Sequence, residues 1–441
     1  MSLSNKVINS SLIMISAKLI ERGIGFISLL ILARILTPED FGIVAISSLV
    51  IYFFEALTML GGEQYIIQKT KVTDADLDTI WTFELILKSM FWLALVIATP
   101  FIANYYENPN LELVLYASSS ILILGALKNP GFSLHMKELR YIPIFKIDLT
   151  KKLISFSFVV PIAIYYETYW ALIIGSVVSM VVFTLGTYAL HSYRPRLSLS
   201  QLQNQWKFSQ WILYKGCIGY IRAQMDTAIV STIFPVGKLG KYYLVRDISV
   251  MPSIDIIMPA ISPLLSAYSK AKADKFEIAR KFDISFVILN LAIIPLCVFI
   301  YFFPEPIIDF LLGSKWDSTY ELLQIFTLLL YSIAILQILN QFCIAIGKVK
   351  QLFLFDLTST IIVGFSLYTL TVGNLSEFAG LRGALGIGMV LILFAYLAVQ
   401  SEVSFLKNLT CLIPIYIVAF LTGYITTFLL PLNEILGIPM V

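Results

Sequence analysis

Basic side chains recur at helical spacing in two apolar stretches of this chain. Lys18 and Arg22 stand four residues apart in the first stretch. The second stretch carries a row of residues at spacings of 4, 3 and 4, namely Lys215, Gly219, Arg222 and Asp226. Residues three or four apart share one face of a helix, so each stretch predicts a basic stripe. Arginine presents a planar fork to phosphate oxygens and lysine a point charge, so both stripes have the chemistry of a phosphate site.

Pairing within the membrane is the alternative interpretation of these stripes. Arg222 can neutralise Asp226, and Lys18 can neutralise Glu21. A charged side chain at the centre of a bilayer costs about 2.5–3.5 kcal/mol on insertion scales. A charge retained there therefore faces either a cavity or a counter-ion, and the sequence allows both.

Further charges lie towards the ends of other apolar stretches. Arg246, beside Asp247, is a second candidate for phosphate binding, or it extends to the membrane interface. Lys128 has the same two alternatives, a cavity role or an interfacial position. Glu84 and Lys88 are spaced i,i+4 where the third predicted helix begins, and we expect them to form a solvated pair.

Three acids are candidates for ion coupling. Glu55 and Asp255 are predicted near mid-depth without a basic partner on their own helix, and Asp226 lies on the second basic stripe. An intramembrane carboxylate suggests a proton or sodium site, and the alternative is a protonated or hydrogen-bonded packing residue.

Neither metal chemistry nor catalysis is predicted. The cysteines stand in apolar runs without CxxC spacing, and the chain has only 2 histidines, so we expect no metal and no cofactor. The chain also lacks a phosphate-cradling P-loop and a Ser/His/Asp arrangement. We therefore expect a protein that is not an enzyme.

The composition requires lipid as the solvent for most of the chain. Of 441 residues 58% are hydrophobic and 13% are charged, with a mean hydropathy of +0.85, whereas soluble domains are about 25% charged. Runs of roughly 20 apolar residues predict spanning helices. The thirteen predicted helices are near 9–33, 42–62, 82–103, 111–134, 142–166, 169–190, 207–234, 242–267, 283–303, 320–346, 352–373, 381–401 and 409–430.

The distribution of Lys and Arg predicts the orientation. With a cytoplasmic N-terminus, nineteen of the 31 basic residues fall on inside segments, Lys151 and Lys152 among them, and five fall on outside segments. The sequence therefore predicts a cytoplasmic N-terminus and, with an odd number of helices, an outside C-terminus.

Two halves of the chain share local patterns. Lys18 precedes Pro38 by 20 residues, and Lys215 precedes Pro235 by the same interval. Six helices per repeat give both halves the same orientation, which implies a pseudo-twofold axis along the membrane normal and a site between the repeats. The fold class is thus an all-α polytopic membrane protein of two six-helix lobes plus one extra C-terminal helix. The predicted divisions are 1–190 for the N-terminal lobe, 191–206 for a cytoplasmic linker, 207–401 for the C-terminal lobe, and 402–441 for the extra helix and tail.

The segment Leu32-Ala33-Arg34-Ile35-Leu36-Thr37-Pro38-Glu39-Asp40-Phe41-Gly42-Ile43 resembles the first helix exit of polysaccharide exporters. These are the Wzx-type flippases of the multidrug/oligosaccharidyl-lipid/polysaccharide superfamily, in the colanic-acid exporter-like branch. The resemblance implies alternating access, and movement of an undecaprenyl-diphosphate-linked oligosaccharide across the bacterial cytoplasmic membrane for surface polysaccharide biosynthesis.

The resemblance also implies the partners. They are the lipid-linked oligosaccharide, membrane lipids, H⁺ or Na⁺ as coupling ion, and other polysaccharide-assembly membrane proteins, without nucleic acid. The basic stripes then become candidates for the diphosphate. Amides on one face of the tenth predicted helix become candidates for sugar hydroxyls or for interhelical hydrogen bonds, namely Gln337, Asn340 and Gln341.

Two other functions are weighed against a flippase. A multidrug exporter of the same superfamily would require an acidic or aromatic cavity for cationic drugs, and the basic stripes disfavour it. A membrane polysaccharide polymerase or glycosyltransferase would carry a large catalytic outside loop, and the longest such loop here is only about 304–319.

Overall fold

The computed structural model describes the backbone of residues 3–138, 140–271, 274–370, 373–401 and 403–429. Within these ranges it describes side chains from residue 19 onward, apart from 405 and 427–429. All secondary-structure elements in this part of the chain are α-, 3-10 or π-helices, and it contains no strand. The all-α class is therefore confirmed.

The chain divides into two compact units, Met1–Thr232 and Ile233–Val441. The helices of the first unit are α1 (Leu3–Ile35), α2 (Pro38–Leu57), α3 (Gly62–Gln68), α4 (Asp74–Tyr105), α5 (Asn110–Ala126), α6 (Leu134–Lys137), α7 (Tyr141–Tyr166), α8 (Trp170–Leu190) and α9 (Leu202–Ile233), which ends one residue beyond it. A 3-10 turn at Pro130–Ser133 joins α5 to α6.

The second unit contains the remaining helices. They are α10 (Val236–Met251), α11 (Met258–Ile261), α12 (Leu264–Ala271), α13 (Lys275–Phe302), α14 (Pro304–Leu311), α15 (Tyr320–Ala345), α16 (Val349–Leu370), α17 (Leu375–Gln400) and α18 (Phe405–Leu429). A π-helical segment, Pro252–Ile257, joins α10 to α11, and a 3-10 segment, Ser314–Thr319, precedes α15.

The described residues form thirteen long helical segments, when α5–α6 and α10–α12 are each counted as one bent segment. They follow the thirteen predicted helices in order and place. Eight helices are long and apolar enough to cross a membrane, or ten segments if each bent pair is one span. The other three long helices, α1, α7 and α9, carry charged residues along their length.

The turn between α1 and α2 explains the motif that carries the family resemblance. Thr37 is the N-cap of α2 and Pro38 follows it. The Thr37 amide donates to Asp40 Oδ2 at 2.9 Å, and the Asp40 amide donates to Thr37 Oγ1 at 3.3 Å. This capping box satisfies two amides that the helix start leaves without carbonyl partners, while proline fits the first turn because it lacks an amide hydrogen.

In the first unit, α2, α4 and α5 share a small core of Ile51, Leu95 and Leu122. Helix α9 packs against α2, because Gly216 leaves room for Met59 and the Tyr220 hydroxyl donates to the Leu49 carbonyl at 2.7 Å. The first compact unit therefore extends through Thr232, whereas the sequence placed the start of the second lobe at residue 207.

The connection between α8 and α9 lies along one face of α4. The Tyr193 hydroxyl donates to Asp78 Oδ1 at 2.5 Å, and the Ser198 amide donates to Thr82 Oγ1 at 2.9 Å. The Gln201 amide donates to Thr79 Oγ1 at 3.2 Å. These bonds satisfy the backbone of an irregular segment, so this part of the predicted linker is fixed to the first unit.

Aromatic side chains form the interior of the second unit. Phe282 of α13 packs against Phe342 of α15 with ring centroids 4.6 Å apart, and Phe286 lies 5.0 Å from Phe394 of α17. The extra helix α18 packs on α13, where the absence of a side chain at Gly423 leaves room for the Phe302 ring.

Candidate functional site: two polar cavities in the first unit

Two polar cavities lie inside the first unit and share a wall formed by Tyr52 and Glu55 of α2. One has a volume of 490 Å³ and is lined by residues of α1, α2, α5, α7 and α8. The other has a volume of 430 Å³ and is lined by residues of α2, α3, α4 and α9 and of the α2–α3 connection, together with Lys128 in the turn after α5. We call the first the serine cavity and the second the charged cavity.

Four ionisable side chains line the charged cavity besides Glu55. Lys88 Nζ lies 3.7 Å from Glu84 Oε2, and Lys128 Nζ lies 3.8 Å from the same atom. Lys128 Nζ also lies 3.5 Å from Glu63 Oε1. The two carboxylates and two amines neutralise one another, so this group can be held within membrane helices at a tolerable cost.

Glycines allow these charges to approach. Gly61 has φ +64, a left-handed conformation that favours glycine, and it ends the run from α2 so that α3 can turn back. A Cβ at Gly62 would lie 2.9 Å from Glu84 Oε1, and one at Gly125 would lie 3.6 Å from Lys88 Nζ. The glycines thus provide the space that Glu84 and Lys88 occupy.

Serine hydroxyl groups recur along the wall of the serine cavity. Its serines are Ser28, Ser47, Ser48, Ser118, Ser155, Ser176 and Ser179. Ser47 donates to Ser118 at 2.9 Å, and Ser155 donates to the Gly175 carbonyl at 2.8 Å. Each serine oxygen that donates to the protein can still accept a hydrogen bond, so the wall suits a ligand with hydroxyl groups.

Two lysines of α7 also line the serine cavity. Lys151 Nζ lies 2.7 Å from Asp148 and 3.8 Å from Glu21 of α1. The Lys152 side chain lies against α1 at Gly25, and a Cβ added to Gly25 would lie 3.1 Å from Lys152 Nζ. Among the described residues Lys152 has no hydrogen bond and no ion pair within 4.0 Å, although it interacts electrostatically with Glu21.

Glu55 is an acid without a close ion pair, as Lys152 is a base without one, among the described residues. It lines both cavities, and within the described part of the chain its carboxylate forms no hydrogen bond or close ion pair. Lys88 and Lys128 influence it only through longer-range electrostatics.

Outside the membrane helices, His191 begins the α8–α9 connection. Burial lowers the pKa of His191, and the neighbouring His135 lowers that pKa further. The Tyr193 amide donates to His191 Nδ1 at 3.2 Å, which requires that nitrogen to be unprotonated. The geometry and the pKa both favour a neutral imidazole.

The structure brings together two of the predicted site residues, Glu55 and Lys128, which line the charged cavity. Arg22 and Lys215 are exposed, Arg222 and Arg246 are half-buried, and none of these four lines either cavity of the first unit. The side chain of Lys18 lies outside the described residues. The phosphate role of the basic stripes stays a prediction.

The other predicted residues are distributed over three helical elements. Asp226 of α9 is fully buried, and its Oδ1 accepts from the Thr227 amide at 3.0 Å. Asp255 lies in the π-helical segment, a distortion that is frequent at functional sites. The three amides on α15, Gln337, Asn340 and Gln341, are all half-buried.

One sequence interpretation is wrong. Glu84 and Lys88 were expected to form a solvated pair, but their side chains are only 8% and 16% exposed and line the charged cavity. Helix α4 begins at Asp74, well before the predicted start at 82, so both residues lie in its interior and not at its start. Lys152, also missed, was assigned to a cytoplasmic segment although it stands within the predicted helix 142–166.

Long apolar helices that enclose ionised and hydroxyl-bearing cavities define a polytopic helical membrane protein with a polar interior. The chain belongs to the polysaccharide biosynthesis protein family, which it matches over residues 31–321. It is 24% identical over 329 residues to the lipopolysaccharide biosynthesis protein WzxC of Escherichia coli (strain K12), covering 74% of this chain and 67% of WzxC.

Two further similarities agree with this assignment. The chain is 23% identical over 316 residues to the succinoglycan biosynthesis transport protein ExoT of Rhizobium meliloti (strain 1021), covering 69% of this chain and 62% of ExoT. The fold is similar to that of the lipid II flippase MurJ in an inward closed conformation, with a TM-score of 0.76 and 15% identity over 94% of this chain and 92% of MurJ. The resemblance to polysaccharide exporters is confirmed.

Proposed function

We propose that this protein is a flippase that moves an undecaprenyl-diphosphate-linked oligosaccharide across the bacterial cytoplasmic membrane by alternating access. The observation that carries the proposal is the pair of polar cavities inside a unit of membrane helices, in a member of the polysaccharide biosynthesis family. Relatives named for transport, and a fold shared with a lipid II flippase, support it.

The two cavities have complementary chemistry for such a ligand. A lipid-linked oligosaccharide carries sugar hydroxyls, which require hydrogen-bond partners when they leave water. The serine cavity offers these partners along several helices. A diphosphate requires positive charge, which Lys128 supplies on the charged cavity and Lys152 supplies on the serine cavity.

The basic stripes of α1 and α9 complete the proposed diphosphate site. We assign Lys18, Arg22, Lys215 and Arg222 to the phosphates in the first unit, and Arg246 to a later stage of transport. Amides of α15 are the proposed sugar contacts, namely Gln337, Asn340 and Gln341. Asp255 and Asp226 are proposed with Glu55 as coupling sites for H⁺ or Na⁺.

The cellular setting follows from this substrate. A cytoplasmic N-terminus would place the α8–α9 connection on the side where lipid-linked repeat units are assembled. Membrane lipids and other polysaccharide-assembly membrane proteins are the expected partners. Transport of an intact ligand requires no bond to be made or broken, so the proposed role is not enzymatic.

Restoration of surface polysaccharide in a flippase-deficient host tests the proposal. The informative variants are Arg222→Gln, Arg222→Lys and the double change Arg222→Gln with Asp226→Asn, each compared at equal membrane protein level. If Arg222 binds phosphate, the double variant stays inactive, whereas Arg222→Lys keeps part of the activity because it keeps the charge. Full rescue by the double variant would show that the two charges are only structural partners.

The same host distinguishes the other functions. Drug efflux without polysaccharide export would favour a multidrug exporter. Accumulation of unpolymerised repeat units on the outer leaflet would instead indicate that the missing activity is a polymerase.

A further inference from the structure

Within the part of the chain that the structure describes, the ionised groups around the two cavities leave one acid and one base without a close counter-ion. In the charged cavity, Glu63 and Glu84 balance Lys88 and Lys128. On α7, Lys151 is paired with Asp148 and Glu21. Glu55 and Lys152 remain, and both line the serine cavity.

This arrangement links anion binding to protonation. Lys152 and Glu55 line the same cavity of 490 Å³. An anion that binds Lys152 adds a second negative charge to the cavity that Glu55 lines. Because like charges in a low-dielectric space repel, the bound anion favours the neutral form of Glu55.

We propose that the serine cavity binds an anionic group at Lys152 and takes up one proton at Glu55 in the same step. The proposal rests on the proposed transport function and adds to it the linkage between anion binding at Lys152 and proton uptake at Glu55. The anionic group is a phosphate of the lipid diphosphate or a carboxylate of an acidic sugar, which share the chemistry that a lysine recognises.

Other charged or titratable groups face Glu55 and Lys152 from several neighbouring elements. They are Tyr52 on α2, Glu63 on α3, Glu84 and Lys88 on α4, Lys128 in the turn after α5, Lys151 on α7, Glu21 and Arg22 on α1 and Tyr220 on α9. Among them, Glu21, Glu63, Glu84, Lys88, Lys128 and Lys151 lie in the ion pairs already described. Glu55 is therefore, among the described acids that line the two cavities, the one without a close ion pair.

Gly25 supports the assignment of Lys152. A residue with a side chain at this position of α1 would occupy the space of the Lys152 amine, since an added Cβ would lie 3.1 Å from Nζ and 3.2 Å from Cε. The glycine thus holds open the path by which a lysine of α7 reaches the cavity wall.

Calorimetry on the purified full-length protein in lipid nanodiscs tests the proposal. Inorganic pyrophosphate and glucuronate serve as anionic probes and glucose as the neutral probe, at pH 7 in two buffers of different ionisation enthalpy. The difference between the buffers reports the protons taken up per anion bound. Glucuronate stays fully ionised at this pH, so uptake with this probe comes from the protein.

We expect about one proton per anion in the unchanged protein and none in Glu55→Gln. Lys152→Met should weaken anion binding by about tenfold or more, the usual scale of coupling between sites, and Lys152→Arg should keep both binding and uptake. The matched controls are Glu39→Gln on α2 and Lys146→Met on α7, both exposed, and neither should change binding or uptake. Response to pyrophosphate alone would identify the phosphate as the anion, and response to glucuronate alone would identify an acidic sugar.

Anion binding without proton uptake, or uptake that persists in Glu55→Gln, would overturn the proposal. So would unchanged anion affinity in Lys152→Met, or the absence of binding by both anions. The proposed function can fail separately. If the protein shows linked proton uptake but cannot restore polysaccharide export, the proposed site stands and the flippase assignment is wrong. If the Glu55→Gln and Lys152→Met variants both restore export, the flippase assignment stands and the proposed site is wrong.

Discussion

Glu84→Gln tests whether ion pairing holds the charged cavity together. The Glu84 carboxylate is shared by Lys88 at 3.7 Å and Lys128 at 3.8 Å. At an effective dielectric constant of about 20, one such pair is worth about 4 kcal/mol before desolvation is counted. The side chains of Glu84, Lys88 and Lys128 are 8%, 16% and 26% exposed, so water screens them only in part.

The loss of unfolding free energy that we expect for Glu84→Gln is at the lower end of the range measured when a buried ion pair is broken. Removing one partner from a buried ion pair costs about 3–5 kcal/mol, because the other charge is left uncompensated. Glu63 still neutralises Lys128 in the variant, so Lys88 is the amine that loses its counter-ion. We expect Glu84→Gln to lower the free energy of unfolding by about 3 kcal/mol. The double variant Glu84→Gln with Lys88→Met should recover most of that loss, since it removes the orphaned charge.

The assay is unfolding of the purified protein in bicelles by added SDS, followed by tryptophan fluorescence. Glu277 and Lys281 provide the matched control, because they have the same i,i+4 spacing and a shorter separation of 2.8 Å but are 52% and 39% exposed. Glu277→Gln should cost less than about 0.5 kcal/mol, since solvent screens an exposed pair. A loss in Glu84→Gln no larger than that in Glu277→Gln would refute the argument that burial makes these pairs strong.

Three further predictions concern glycines and a histidine of the first unit. Gly25→Val should reduce export to the level of Lys152→Met, because the new side chain displaces the Lys152 amine. Gly23→Val should not reduce export, since no atom lies within 4 Å of its added Cβ. Equal defects in the two variants would indicate lower helix propensity as the cause. Gly61→Ala should lower the free energy of unfolding by about 2–4 kcal/mol, because its Cβ would lie 2.3 Å from Ile212 Cδ1 and its φ is +64. Gly373→Ala, at φ +75 with open space around its Cβ, should show only a backbone cost of about 1–2 kcal/mol in the same SDS titration. Burial and His135 lower the pKa of His191, so the unfolded chain binds the proton more readily than the folded protein does. The α8–α9 connection should therefore lose hydrogen-exchange protection as the pH falls below 6.5 towards the folded pKa. Retention of this pH dependence in His191→Gln would exclude His191 as its cause.

The sequence predicted the helical segments well because their apolar length is a local property. The thirteen segments appear in the predicted places, and the turn at Thr37 and Pro38 is set by a cap contained within four residues. The start of α4 was missed because its first two turns are polar, although Thr73 and Asp76 form a capping box that marks the helix start. That spacing was readable in the sequence and would have moved Glu84 and Lys88 from the start of the predicted helix to its interior.

The polar cavities could not be predicted in the same way, because the partners of each charge lie on different helices. Lys128 is neutralised by Glu63 and Glu84, which precede it by 65 and 44 positions in the sequence. Helical spacing relates only residues within one helix, so it could not show that Glu21 also pairs with Lys151 of α7 at 3.8 Å. Hydropathy likewise treats each charge as a separate cost to one helix, although the cost is shared once the helices pack.

This sharing of cost connects the stability of the first unit with its proposed function. Charges that neutralise one another stabilise the packing of α3 and α4 with the turn after α5, and a ligand that binds one of them, such as Lys128, must first displace its partner. Lys152 and Glu55 are different, since each lies in the cavity wall without a close counter-ion among the described side chains. An arriving anion gains the attraction of Lys152 without breaking a protein contact, and the proton that joins Glu55 keeps the net charge of the loaded cavity close to that of the empty one. A carrier that binds its cargo this way meets a smaller electrostatic barrier when it moves the anion through a membrane, because the cost of transfer depends on net charge.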